Sequence, residues 1–185
     1  MKRTLLLSLA ILSLVPAISH AQKGYAIGIG GGAAIPVGKL GDVQNTGYSA
    51  LIALAVGSPD LPIGLRFDGV YNNLTHSTTT AGTSTGPVTQ TGDFRVVGAL
   101  VNLVYAFPGT YAKPYIIAGG GWYGSKADTT GAKSQSNFGF NAGLGTTFGF
   151  GPAAAFIEAR YHSISRSVAK GGVFQFVPIT FGLIF

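Results

Sequence analysis

A histidine and two serines lie close together at residues 161–165, which read YHSIS. They could supply a catalytic base and a nucleophile, but such a base also needs an acid that orients the histidine. Glu158 precedes His162 by four residues, which is about 13 Å along a strand that rises about 3.3 Å per residue. The spacing therefore joins no base, acid and nucleophile, and no catalytic residue is predicted.

Other patterns that could carry chemistry also lack their structural context. Residues 28–33 read GIGGGA and match a dinucleotide-binding fingerprint, but Pro36 follows at once and no helical pattern begins there. The chain has no cysteine, which excludes disulfides, thiolate chemistry and cysteine metal sites. The basic residues form no stripe of the kind that binds nucleic acid. We expect no cofactor, no metal and no nucleic-acid partner.

The elements that must position any site are extended segments of alternating polarity. Eight of them are near or above the roughly 9 to 11 residues that a tilted strand needs to cross a bilayer: 25–33, 48–57, 63–74, 94–107, 115–124, 137–150, 154–163 and 173–185. Residues 96–104 are apolar on both faces apart from Gly98 and Asn102, so their faces stay unassigned.

The connections alternate in length as regularly as the faces do. Three are short and contain proline, at 58–62, 108–114 and 151–153, and four are longer and polar, at 36–47, 75–92, 125–136 and 164–172. Short turns at one rim and long loops at the other are typical of barrels in bacterial outer membranes, with the long loops outside the cell. An extracellular ligand, if there is one, would meet these four loops.

The last strand carries the sharpest pattern. Apolar residues recur at every second position up to the terminal aromatic residue, at Val177, Ile179, Phe181, Leu183 and Phe185, and the other face carries small residues. The edge strand of a soluble sandwich is the alternative, but chain ends are usually frayed. The pattern resembles the assembly signal of outer-membrane barrels, and this resemblance implies that the barrel-assembly machinery reads Ile179, Phe181, Leu183 and Phe185.

Residues 114–119, 156–162 and 173–185 resemble recurring strands of the generic outer-membrane β-barrel domain family. The small eight-stranded barrels of the OmpA transmembrane domain, OmpX and opacity-protein type are similar. The resemblance implies an all-β fold, an eight-stranded antiparallel up-and-down transmembrane barrel in the cell outer membrane. It also implies contact with outer-membrane lipid and lipopolysaccharide. No single activity goes with the family's motifs.

The N-terminus predicts export. A short basic segment precedes an apolar run from Thr4 to Ala17, and Ser19 and Ala21 are small residues at the positions that a signal peptidase inspects. The run is interrupted by Pro16 and is shorter than the roughly 20 residues of a spanning helix. We therefore expect a signal peptide at 1–21 and a barrel domain at 22–185.

Four charged residues lie within the strands: Arg66, Asp68, Glu158 and Arg160. A lipid-facing arginine near the bilayer midplane costs about 2 to 4 kcal/mol, so the charged faces should point inward. Buried charges are tolerated when they pair, and eight strands leave an interior just wide enough for side chains. We predict that these four residues form a network that plugs the lumen.

Glycine and the aromatic residues agree with a narrow barrel. Glycine accounts for 29 of 185 residues, and glycine within strands suits crowded interiors. Aromatic residues near the strand ends predict an interfacial girdle, formed by Tyr25, Tyr48, Tyr71, Tyr105, Tyr111, Tyr115, Trp122, Tyr123 and Tyr161.

Several functions remain open at this point. The first is a non-enzymatic structural or surface-interaction protein with a plugged lumen and exposed loops, and the second is a small pore for ions or small solutes. A soluble barrel with an apolar ligand is a weaker alternative. A lipid A modifying enzyme is another, because residues 161–165 resemble the histidine and serine arrangement of the lipid A deacylase family. The match departs at Ile164, and no asparagine follows.

Overall fold

The computed structural model describes residues 24–42, 44–58, 61–76, 81–83, 86–88, 92–127, 134–151, 153–165 and 172–185. The predicted signal peptide, with Ser19 and Ala21, lies outside the described residues, as do parts of all four long loops. No described helix is long and apolar enough to cross a membrane.

Eight long strands form the barrel, and their bounds extend those expected from the sequence by a few residues at several ends. They are β1 (Tyr25–Val37), β2 (Gln44–Gly57), β3 (Ile63–His76), β6 (Phe94–Ala106), β7 (Ala112–Ala127), β8 (Gln135–Phe150), β9 (Ala153–Ile164) and β10 (Phe174–Ile184). A short 3-10 helix, Gly38–Leu40, follows β1, and two three-residue strands, β4 (Ala81–Thr83) and β5 (Gly86–Val88), pair within the predicted loop 75–92.

The eight strands close into one antiparallel barrel in the order β1-β10-β9-β8-β7-β6-β3-β2. The first and last strands pair over ten residues. Two further backbone hydrogen bonds join Ile27 and Phe185, at 3.0 and 2.8 Å. Closure leaves the eight-stranded sheet of the barrel with no free edge. The predicted fold, an all-β eight-stranded up-and-down barrel, is confirmed.

The two rims of the barrel differ in their connections. Brief turns join β2 to β3, β6 to β7 and β8 to β9, and all three turns lie at one rim, the short-turn rim. The first strand begins and the last strand ends at this rim. The other four connections lie at the opposite, long-loop rim. The alternation of short and long connections that the sequence predicts is therefore present in the structure.

Side chains alternate between an exposed outer face and a buried interior. On β10, Phe181 is 59% exposed, whereas Thr180 is buried and Phe176 has no exposed surface. Strand β6, whose faces the sequence leaves unassigned, turns Val96, Leu100 and Asn102 inward. The sequence predicted only small residues on the inward face of β10. This was wrong near the long-loop rim, where the inward residue is Phe176.

Interior glycines make room for aromatic rings. A Cβ atom on Gly30 would lie 2.9 Å from Cζ of Phe156 and 2.8 Å from Cγ2 of Thr180. A Cβ atom on Gly98 or Gly139 would lie 3.0 or 2.9 Å from the ring of Tyr123. The glycine-rich strands thus let large inward side chains fit inside a narrow barrel.

Two residues of the predicted aromatic girdle belong to the interior instead. Tyr115 and Tyr123 are buried, whereas Tyr25, Tyr48 and Trp122 are exposed on the outer wall. The prediction was wrong for these two because it considered only their position along the strand. Both lie on the inward face of β7 with Ile117.

We predict that Gly30→Ala destabilises the barrel and that Gly149→Ala does not. The new methyl group at position 30 meets Thr180, Phe156 and the carbonyl oxygen of Phe181 at 2.9 Å or less, while a Cβ atom at Gly149 meets nothing within 4 Å. Overpacking of this kind costs about 1 to 3 kcal/mol. Urea unfolding in lipid vesicles measures the loss, and equal midpoints for both variants would contradict the packing described.

Candidate functional site

The charged layer of the interior consists of Arg66 and Asp68 on β3 with Glu158 and Arg160 on β9. These two strands are four apart in either direction around the barrel and so form opposite walls. All four residues are buried, with Glu158 and Arg160 each 2% exposed. Inward alternation on both strands brings them together from positions 92 residues apart in the chain.

Ion pairs join the two walls. Nη2 of Arg66 lies 2.7 Å from Oε2 of Glu158, and Nη1 of Arg160 lies 2.7 Å from Oδ2 of Asp68. Each carboxylate also contacts the arginine of its own strand: Nε of Arg66 lies 3.0 Å from Oδ1 of Asp68, and Arg160 contacts Glu158. Two positive and two negative groups therefore balance inside the layer.

Neutral side chains complete the coordination of the charges. Nδ2 of Asn102 donates to Oδ2 of Asp68 at 2.8 Å, and the hydroxyl of Tyr115 donates to Oε2 of Glu158 at 2.9 Å. Neither role was predicted from the sequence. Asn102 carried a signal, as a polar residue within an apolar strand, while Tyr115 resembled a girdle residue. Hydrogen bonds to ionised groups are stronger than neutral ones.

His162 lies next to this layer on the side of the long-loop rim. Its Nδ1 is 2.8 Å from the hydroxyl oxygen of Tyr123, and its ring stacks on Phe176 with centroids 5.0 Å apart. Only 1% of the residue is exposed. Ser163 occupies the opposite face of the strand, so the two side chains that resemble the deacylase arrangement do not come together.

A cluster of apolar side chains, the apolar cap, lies in the interior near the long-loop rim. Phe94 on β6 meets Phe174 on β10 edge to face, with ring centroids 4.7 Å apart. These strands are again four apart around the barrel, so the contact crosses the whole lumen. Other buried apolar side chains complete the cap: Leu40, Leu74, Val96, Ile164 and Phe176.

The other end of the lumen opens into a vestibule of about 260 Å³ at the short-turn rim. Its lining is mostly apolar, with Ala55, Val104 and Ile184 among the walls, and it ends at Arg66 and Tyr115. From this rim inward, the lumen therefore consists of a vestibule, the charged layer, a polar segment around His162 and the apolar cap.

No group of three or more potential metal ligands occurs within the described part of the chain. The carboxylates of the charged layer are coordinated by arginine, asparagine and tyrosine. The side chains present are therefore arranged for mutual neutralisation inside the barrel.

An antiparallel barrel with an apolar outer wall and charged residues inside defines the class of transmembrane β-barrels. The chain belongs to the outer membrane protein beta-barrel domain family, whose model matches residues 4–185. The predicted location in the outer membrane is confirmed by this membership.

Several solved outer-membrane proteins share the fold. Neisserial surface protein A is 18% identical with a TM-score of 0.63, over 88% of this chain and 96% of that one. The attachment invasion locus protein Ail of Yersinia pestis, solved with the heparin analogue sucrose octasulfate, is 16% identical with a TM-score of 0.51, over 89% and 100%. A major outer membrane protein of Thermus thermophilus is 12% identical with a TM-score of 0.51, over 87% and 98%. No curated protein matches the chain.

We predict that Glu158→Gln destabilises the barrel strongly. The substitution leaves Arg66 and Arg160 with Asp68 as their one remaining carboxylate in the layer. Removing one partner of a buried pair costs about 3 to 5 kcal/mol, because an uncompensated charge stays behind. Urea unfolding in lipid vesicles measures the change.

Two further variants serve as controls. Asp42→Asn removes an exposed carboxylate and should leave the free energy of unfolding unchanged. Arg66→Met added to Glu158→Gln restores charge balance and should recover part of the loss. Stability of Glu158→Gln within about half a kcal/mol of the parent would refute a structural role for the pairing.

Proposed function

We propose that this protein is a non-enzymatic outer-membrane barrel whose lumen is closed and whose function resides in the surface that it presents at the long-loop rim. The observation that carries the proposal is the double bridging of the lumen. Ion pairs between β3 and β9 cross it at one level, and the Phe94–Phe174 contact between β6 and β10 crosses it at another.

The two bridges oppose conduction in different ways. The charged layer is neutral as a whole, and its hydrogen bonds must break before an ion can pass. The apolar cap offers an ion no replacement for its hydration shell, because its lining consists of hydrocarbon side chains. Hydrophobic constrictions of this kind close pores by dewetting.

A non-enzymatic role is supported by the surroundings of His162. Its hydrogen bond goes to Tyr123, and its ring is covered by Phe176. A catalytic base needs access to substrate and a nucleophile within hydrogen-bond reach. The barrel would then act as an anchor, with an external ligand bound by the loops 36–47, 75–92, 125–136 and 164–172.

Assembly by the barrel-assembly machinery is part of this proposal. Phe181, Leu183 and Phe185 are exposed on the outer face of β10, and Ile179 lies in the same row. The row is therefore available to an external receptor until lipid covers it. The machinery itself, outer-membrane lipid and lipopolysaccharide are the proposed partners of the outer wall.

A small pore is the second candidate, and unpaired buried amides favour it. Several buried amide atoms have no hydrogen-bond partner within the protein: Oδ1 and Nδ2 of Asn72, Oδ1 of Asn102, and Nδ2 of Asn141. Buried polar atoms of this kind usually bind water. Water at Asn72 and Asn141 would hydrate the segment between the charged layer and the apolar cap, and water at Asn102 would reach the charged layer itself.

Single-channel recording in planar bilayers separates the two candidates. We expect no conductance steps from the parent chain. We also expect none from Arg160→Ala alone, because the apolar cap stays in place, and none from Phe94→Ala with Phe174→Ala, because the charged layer stays in place. Combining all three substitutions should produce openings.

Each result has one meaning. Steady channels in the parent would make the protein a small pore and refute the closed lumen. Openings with Arg160→Ala alone would make the charged layer the sole barrier. Silence of the combined variant would mean that Arg160, Phe94 and Phe174 are not sufficient to account for the barrier, and would refute the double bridging as its cause. Altered migration of unboiled protein on a detergent gel checks that every variant retains a folded barrel.

A further inference from the structure

An open groove of about 590 Å³ lies in the outer wall of the barrel. Its floor is formed by Gly69 on β3 and Ala99 on β6, which are directly paired. Ile52 pairs with Gly69 on one side, and Trp122 pairs with Ala99 on the other. One row across four strands therefore has large side chains at both ends and almost none in the middle.

The lining of the groove is suited to hydrocarbon. Leu54, Phe67 and Val101 continue its wall toward the short-turn rim. Because the groove lies in the lipid-facing wall of an outer-membrane barrel, acyl chains are the medium at this depth. An acyl chain in the groove contacts the protein on several sides, whereas an acyl chain on a flat wall contacts it on one side. The groove binds an acyl chain more strongly, because dispersion attraction grows with the number of contacts.

Two cations lie above the groove on the same strands. Arg95 on β6 and Lys126 on β7 are directly paired, are exposed, and continue the outward rows at the long-loop rim. Lys126 follows Trp122 by four residues, about 13 Å along the strand. The cations and the groove are therefore within the span of one lipid molecule, with its headgroup at the rim and an acyl chain in the groove.

The charge at this part of the rim favours an anion. Asp93 also lies there, and its carboxylate accepts a hydrogen bond from Nδ2 of Asn73 at 3.2 Å. Among the described side chains at the long-loop ends of β6 and β7, with Asp93 just before β6, two cations thus stand against one carboxylate. Basic residues at the membrane surface attract anionic lipid headgroups.

We propose that the groove over Gly69 and Ala99, together with Arg95 and Lys126, is a binding site for one anionic lipid. The groove holds an acyl chain, and the two cations hold the phosphate of the headgroup. This site lies on the outer wall and is independent of whether the lumen conducts.

The sole tryptophan of the chain, Trp122, lines the groove and reports on its occupant. The unsubstituted protein is reconstituted into two kinds of vesicle, both made of phosphatidylglycerol and phosphatidylcholine. In one kind the phosphatidylglycerol is brominated, and in the other the phosphatidylcholine is brominated. Bromine quenches tryptophan fluorescence on contact. We expect phosphatidylglycerol to occupy the site at least about fivefold more strongly than phosphatidylcholine, the effect of one basic residue at an anionic lipid surface.

The headgroup and the groove are tested by separate variants. Lys126→Gln should reduce the preference about fivefold, whereas Lys113→Gln, an exposed lysine at the other end of the same strand, should not change it. Gly69→Leu fills the groove and should reduce quenching by both lipids. A Cβ atom there meets only Cγ2 of Ile52, at 2.9 Å, and that side chain can shift.

Three results would overturn the proposal. Equal quenching by the two lipids in the parent would mean an ordinary lipid shell with no site. A preference that survives both Lys126→Gln and Gly69→Leu would place its origin elsewhere. Quenching that falls as the protein-to-lipid ratio rises would mean that a second barrel covers the groove. Gel migration of the unboiled protein checks that the variants fold.

Discussion

The structure depends on one constraint, which is that hydrocarbon offers no hydrogen-bond partner to a peptide group. Every strand of the barrel must therefore pair on both sides, and the pairing of β1 with β10 meets this requirement for the two ends of the sheet. Two residues at these ends, Ile27 and Phe185, exchange backbone hydrogen bonds that extend this pairing. The apolar outer rows follow from the same medium, because outward side chains at the depth of the hydrocarbon face lipid.

A barrel of only eight strands has a narrow interior. Because the strands alternate in polarity, polar side chains point into this interior, and they must be packed and neutralised there. The protein fills it in layers. Arginine and carboxylate side chains from opposite walls neutralise one another in the charged layer, and aromatic rings occupy the space above interior glycines. Toward the long-loop rim, Phe94 and Phe174 meet across the lumen. The layers join opposite walls, so they support the shape of the barrel as well as filling it.

The sequence predicted the architecture well, because alternation with a period of two directly reflects a wall between lipid and interior. It located all eight strands and the faces of β3 and β9, including the inward position of Arg66 and Glu158. It also grouped the four charged residues into one network, and these residues do meet across the lumen. It could not predict that Phe94 meets Phe174, because contacts between opposite walls depend on the stagger of strands around the barrel. Tyr115 and Tyr123 were misplaced for a related reason. An aromatic residue near a strand end suits the membrane interface and the barrel interior equally well until its face is fixed.

The pairing within the charged layer has a consequence for assembly. Arg66 lies two residues from Asp68, and Glu158 lies two residues from Arg160, and each pair is in contact on its own strand. The N-terminal and C-terminal halves of the sheet therefore each carry a counter-charge of their own. A partly inserted sheet presents no net charge from these residues to the bilayer at any stage. Closure then adds a partner from the opposite wall to pairs that are already neutral on their own strands.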